Sequence, residues 1–141
     1  MTKEQAKQKN PVVLAFLGDA VYTLWVRQKL VENGSGKPSE LQRTAAQVVS
    51  ARGQSAFLER VLPMLTDEEE EIFRRGRNAK KPTKSKSASA AEYNRSTGFE
   101  AVLGYLHLIG QTERIEELLA QTDETLLKGQ AVETAFKPCG R

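Results

Sequence analysis

From residue 11 to about residue 32, Leu14, Leu17, Val21, Leu24, Trp25 and Gln28 recur at three- and four-residue spacing, and no part of the chain sustains a two-residue alternation. Helical side chains repeat every 3.6 residues and strand side chains every two, so this spacing commits the chain to an all-α helical bundle. The start of this first long helix is written locally. Asn10 can cap it, and Pro11 lacks the N–H that a first turn leaves unpaired. The spacing points one apolar stripe at a core, while the polar run MTKEQAKQKN before it reads as a flexible N-terminus over residues 1–10.

The turn NGSGKPSE at residues 33–40 stops that helix and offers a new start at Pro38 and Ser39. Helical spacing resumes from Leu41 to Leu65, with a break near Gly53 and closure at Pro63. Thr66 opens the next helix as a capping box with Glu69, and the acids from Asp67 to Glu71 sit where the helix dipole favours negative charge. They read as structural, with Glu70–Arg74 and Glu71–Arg75 pairs worth a few tenths of a kcal/mol each. A second long helix spans about Ala90 to Ile109, and an amphipathic one starts at Thr112 and continues through Leu126 and Leu127. Residues 129–141 read as a flexible tail. With 141 residues, the expected organisation is one domain over 11–128.

Each long apolar helix harbours one acid. Asp19 lies in FLGDAVYTLWV and Glu100 in STGFEAVLGYLHL, with Gly18 beside the first and Gly98 and Gly104 flanking the second. A glycine inside a helix costs ~1 kcal/mol against alanine, so these suggest close backbone approach, room for a ligand, or both. Two carboxylates brought together without a cation repel, and one must protonate. Mg²⁺ suits such a gap, because it takes one or two protein carboxylates and fills its remaining positions with water and substrate phosphate. It also serves phosphate chemistry by activating water and stabilising developing charge. The competing reading leaves each acid pointing to solvent or paired with a distant arginine.

Overall charge is nearly balanced, with 21 Lys and Arg against 18 Asp and Glu, but the excess is local. Arg74, Arg75, Arg77, Lys80, Lys81, Lys84 and Lys86 follow one another without an intervening acid, and residues 80–89 read as an exposed basic loop. An anionic partner fits this run, with a solvated linker as the bland alternative. Cys139 is the single cysteine, so no intrachain disulfide or cysteine-rich zinc site can form. No apolar run approaches the ~20 residues of a membrane span, so a cytoplasmic protein with no membrane association is expected. His107 follows Glu100 by two helical turns and reads as a core or interface residue. Phe16 and Trp25 read as core or dimer contacts.

FLGDAVYTLWVR resembles the signature helix of the ribonuclease III family, and RGRNAK with YNRSTGFEAVLGYL resembles its short branch, Mini-ribonuclease III. The likeness covers roughly residues 11–128 in order, and the chain ends where longer members continue into a double-stranded RNA-binding domain. It implies a homodimeric, Mg²⁺-dependent endoribonuclease with the helical ribonuclease III endonuclease fold, cutting both strands of an RNA duplex. Asp19 and Glu100 are then the catalytic and metal-site residues. The implied role is maturation of 23S ribosomal RNA precursor, aided by a protein of the large ribosomal subunit. RNA contacts are expected from Arg75, Arg77, Asn78, Lys80, Lys81, Lys84, Lys86 and Arg95, reading an A-form duplex by shape and phosphate.

Two departures stand out. Longer members carry further acids where this chain has Ala15 and Thr97. Fewer protein oxygens imply weaker metal binding in the free enzyme, tightened when RNA phosphate joins. They also leave room for a catalytically degenerate RNA-binding module serving ribosome assembly. A helical DNA-binding regulator is a third possibility, one that leaves Asp19 and Glu100 unexplained.

Overall fold

The computed structural model describes residues 1–34, 36–81 and 89–122. Seven α-helices follow in order: α1 (Lys3–Lys7), α2 (Pro11–Asn33), α3 (Pro38–Val49), α4 (Ser55–Val61), α5 (Asp67–Asn78), α6 (Ala90–Leu108) and α7 (Thr112–Leu119), with a 3₁₀ turn at Leu62–Met64 between α4 and α5. No strand occurs among the described residues.

The local start signals act as their chemistry requires. Asn10 Oδ1 accepts from the Val12 N–H at 2.7 Å. Thr66 Oγ1 accepts from the Glu69 N–H at 3.1 Å, and Glu69 Oε1 accepts in turn from the Thr66 N–H at 2.9 Å. Ser89 and Glu92 build the same reciprocal box at the head of α6. Gly110 ends that helix at φ 76°, a left-handed conformation that suits glycine.

α6 is the axis of the molecule. Every residue from Phe99 to Leu106 is buried except Glu100, which is partly so, with α2 packed on one side and α5 on the other. Glycines set both spacings. A Cβ on Gly18 would stand 1.7 Å from the Glu100 carbonyl oxygen, and one on Gly104 would stand 2.0 Å from the Leu14 carbonyl oxygen. On the other flank, a Cβ on Gly98 would meet the Phe73 carbonyl oxygen at 2.7 Å. Backbone therefore touches backbone, and the glycines in these helices are explained by close approach. Tyr22, Phe57 and Phe99 form the aromatic centre of the core, with ring centroids 5.2 to 6.3 Å apart.

Three expectations need correction. The buried residues of α2 are Leu14, Ala15, Gly18, Tyr22, Val26 and Leu30, whereas Leu24 of the expected core stripe is 67% exposed; Phe16, at 82%, keeps only its dimer-contact reading. α2 is apolar on more than one side, and the face that turns inward is the one whose glycine permits contact with α6. The N-terminus is a docked helix rather than a loose segment: Ala6 is fully buried, and Arg75 donates to the Lys7 and Lys9 carbonyls at 2.9 and 3.2 Å. A polar decapeptide that buries one alanine carries no periodic signal. His107 is exposed on α6, which overturns its reading as a core residue and leaves the interface reading untouched.

The acids of α5 are structural, but not through the expected helical pairs. Glu69 is buried and takes a two-pronged contact from Arg114 of α7, at 2.9 and 2.7 Å. Burial opposes its ionisation, yet hydrogen bonds from Arg114 and Thr66 together hold its carboxyl below the usual range. Glu68 accepts from the Tyr105 hydroxyl and pairs with Lys7 at 3.4 Å, which ties α1 to α5 and α6. Leu126, Leu127, Cys139 and the tail lie outside the described residues.

Candidate active site

The close packing of α2 on α6 places Asp19 and Glu100 together. Asp19 is exposed, on the turn that follows the Gly18 contact; Glu100 is mostly enclosed, one α6 turn before Gly104. Both side chains line one cleft, and the negative charge of Asp19 acts on the Glu100 carboxyl. Asp19 thus faces the other intrahelical acid, across a cleft of about 410 Å³.

Ala15, Phe16, Ser50, Lys81, Tyr93 and Thr97 are among the residues that complete the lining. Removal from water and the negative charge of Asp19 push the Glu100 carboxyl up to about 8. A cleft that raises an acid in this way disfavours a second negative charge beside Asp19, and a cation placed there would relieve that cost. The donor set fits a hard divalent ion that keeps water or phosphate in its remaining positions. No cluster of three or more Asp, Glu, His or Cys occurs among the described residues, so Asp19 and Glu100 are the two carboxylates that could hold such an ion in this cleft. Thr97 Oγ1 donates to the Tyr93 carbonyl at 2.9 Å and presents only lone pairs to the cleft, while Ala15 contributes no oxygen.

A stability consequence follows directly. In the unfolded chain Glu100 titrates near 4.5, and in the fold near 8. Between those values the folded protein holds a proton that the unfolded chain has lost, so stability falls as pH rises through this window. Glu68, Glu69 and Glu92 are shifted downward and act below it. Glu92 owes its downward shift first to the Ser89 N–H at the α6 cap. Thermal melts in chelator are therefore expected to show a melting temperature that declines from about pH 5 to about pH 8. A divalent cation should remove most of that decline and stabilise the protein more at about pH 8 than at about pH 6. A decline that the cation leaves untouched would count against a cation site at Glu100.

The basic residues divide into three groups. Lys81 lines the cleft, its Nζ donating to the Arg77 carbonyl at 2.8 Å, and burial pushes its ammonium pKa down. Asn78 and Lys80 are exposed beside it, with Asn78 Oδ1 accepting from Arg77 Nε at 3.1 Å and the Arg77 guanidinium over the Phe73 ring. Arg75 and Arg95 are committed within the fold: Arg75 holds the α1–α2 link, and Arg95 pairs with Glu59 at 3.3 Å and reaches Ser55 on α4. Both are thereby less available to RNA than the spacing alone suggests. Lys84 and Lys86 lie outside the described residues.

One polar residue at the site carries no sequence signal. Gln54, in the α3–α4 connection, is fully buried and donates from Nε2 to the Val49 carbonyl at 2.7 Å and toward Glu100 Oε2 at 3.5 Å. A lone glutamine between two helices has no spacing to betray it.

Comparison with known proteins places the fold in a family. Residues 12–111 match the Ribonuclease III domain family. The Mini-ribonuclease 3 of Symbiobacterium thermophilum is 47% identical over 120 residues, covering 85% of this chain and 92% of the relative. That of Enterococcus faecalis is 47% identical over 115 residues, covering 80% and 87%. A crystal structure of a Fusobacterium nucleatum protein superposes with a TM-score of 0.72 at 29% identity, covering 80% of this chain and 90% of the other. With the signature helix α2 and the Glu100 helix α6 both inside the matched span, the chain belongs to the ribonuclease III domain family, in its Mini-ribonuclease 3 branch, and is an endoribonuclease.

Proposed function

We propose that the protein is a Mg²⁺-dependent, double-strand-specific endoribonuclease that acts as a homodimer in the bacterial cytoplasm on 23S ribosomal RNA precursor, with help from a large-subunit ribosomal protein. The observation that carries the reading is the meeting of Asp19 and Glu100 in one cleft with a buried, elevated carboxyl. Asp19 and Glu100 would hold the ion. When bound, Mg²⁺ supplies positive charge to a phosphodiester and lowers the pKa of water. Glu100 would hold the ion in its ionised form, and the exposed Asp19 would hold it beside Glu100. Lys81, which lines the same cleft, offers a positive charge to backbone phosphate. Lys80, Arg77 and Asn78 extend the contact along the duplex, and so do Lys84 and Lys86 on this reading.

The dimer reading rests on α2. Val13, Phe16, Leu24 and Val31 are each more than half exposed and recur along one helix, with the exposed Ala20 between them. A repeated apolar face of this kind suits a two-fold contact with the same face of a second copy. Phe16→Asp is expected to weaken self-association about 100-fold or more and to give monomers by sedimentation equilibrium. A variant that still sediments as a tight dimer would move the seam elsewhere.

The test of the function is digestion of end-labelled RNA duplex with and without Mg²⁺, beside a 23S precursor stem and a DNA duplex of the same sequence. Cleavage of both RNA substrates only with the cation supports the proposal. Tight RNA binding without cleavage would favour the non-catalytic assembly module, a reading to which the small carboxylate set lends support.

A further inference from the structure

Gln54 sits where chance would seldom leave an amide. Its side chain is fully enclosed, and its Oε1 has no hydrogen-bond partner among the described residues. An unsatisfied buried acceptor is destabilising, so a hydrocarbon of the same shape would suit the fold better unless the amide serves another end. The connection that carries it is built to hold it in place. Ser50 Oγ donates to the Gln47 carbonyl and accepts from the Gly53 N–H, both at 2.9 Å. A Cβ on Gly53 would stand 1.9 Å from the Gln47 carbonyl oxygen, so only glycine permits this tight return of the chain.

The orientation of the amide is determined by its neighbours. One Nε2–H lies against the Val49 carbonyl at 2.7 Å, and the same nitrogen faces Glu100 Oε2 at 3.5 Å. Reversing the amide would set an oxygen against two acceptors. A neutral donor favours the ionised form of Glu100 without bringing a positive charge that would compete with a cation. It also engages one carboxyl oxygen, Oε2. Outer groups of this kind orient metal ligands and raise affinity.

We infer that Gln54 is the positioning residue of the Glu100 carboxylate, holding Oε2 from behind so that Glu100 presents its other oxygen, with Asp19, to a divalent cation. The inference rests on the cation reading proposed above.

The test uses the full chain and Mn²⁺ as the probe, with free Mn²⁺ followed by electron paramagnetic resonance. Gln54→Met, of similar length and without the donor, is expected to bind Mn²⁺ about 10- to 100-fold more weakly than the unaltered chain. Its cleavage rate should recover toward normal as the metal is raised. A merely structural role would lower the melting temperature and leave Mn²⁺ affinity unmoved. Asp19→Asn serves as the reference. If it loses Mn²⁺ while Gln54→Met binds like the unaltered chain, the positioning inference is overturned and the cation reading stands. If Asp19→Asn itself binds Mn²⁺ normally, both fall. Should Gln54→Met not fold, the unaltered chain gives the answer: the Gln54 side-chain amide resonance is expected to shift on Mg²⁺ titration, and a resonance that stays put overturns the inference.

Discussion

Asp19→Asn is expected to reduce cleavage of duplex RNA by about 1,000-fold or more, equivalent to roughly 4 kcal/mol of lost transition-state stabilisation. The substitution is nearly isosteric and Asp19 is exposed, so the fold should survive it. It should even help the metal-free protein. The charge of Asp19 is, after burial, a cause that raises Glu100, and its removal lets Glu100 ionise more readily. The expected combination is therefore a dead enzyme with an unchanged or raised melting temperature at about pH 8 and intact RNA binding. Single-turnover digestion and a thermal melt on the same preparation read both halves. Normal cleavage would remove Asp19 from the chemistry.

Gly104→Ala is expected to cost more than about 3 kcal/mol and to lower the melting temperature by roughly 10 °C. The added methyl would stand 2.0 Å from the Leu14 carbonyl oxygen, and a backbone atom has no rotamer by which to retreat. Relief requires α2 and α6 to separate. That separation loosens the principal helix contact and also draws Asp19 away from Glu100, since both acids ride on the surfaces that part. Activity should fall at temperatures where the variant is still folded. Gly34→Ala is the control, because a Cβ there has nothing within 4 Å. Calorimetry compares the two variants, and a Gly104→Ala protein that melts within about 2 °C of the control would refute the close packing of α2 on α6.

Much of the molecule is legible in the residues. Asn10 with Pro11, Thr66 with Glu69, and Gly110 each act through short-range chemistry, and each begins or ends a helix as written. The two intrahelical acids and their glycines are informative together, because a small residue beside a carboxylate on each of two apolar helices points to one contact. What stays hidden depends on tertiary choice. α2 is apolar on several sides, so periodicity cannot decide between a face buried on α6 and a face left for a partner. Leu24 lies on the exposed face. Asp19 is more exposed than its apolar neighbours imply, for the same reason. Arg75 and Arg95 read as RNA contacts from their charge, yet carbonyls and a carboxylate from elsewhere in the chain engage them. Gln54 becomes visible only when the α3–α4 turn places it behind Glu100.

The most direct measurement is a Mg²⁺ titration of the full chain with ¹³C-labelled Asp and Glu, following the side-chain carboxyl resonances. Asp19 and Glu100 are expected to shift together along one saturating curve, with release of the proton that Glu100 holds. A cation that moves only one of them, or neither, would contradict the claim that α2 and α6 share a single ion between them.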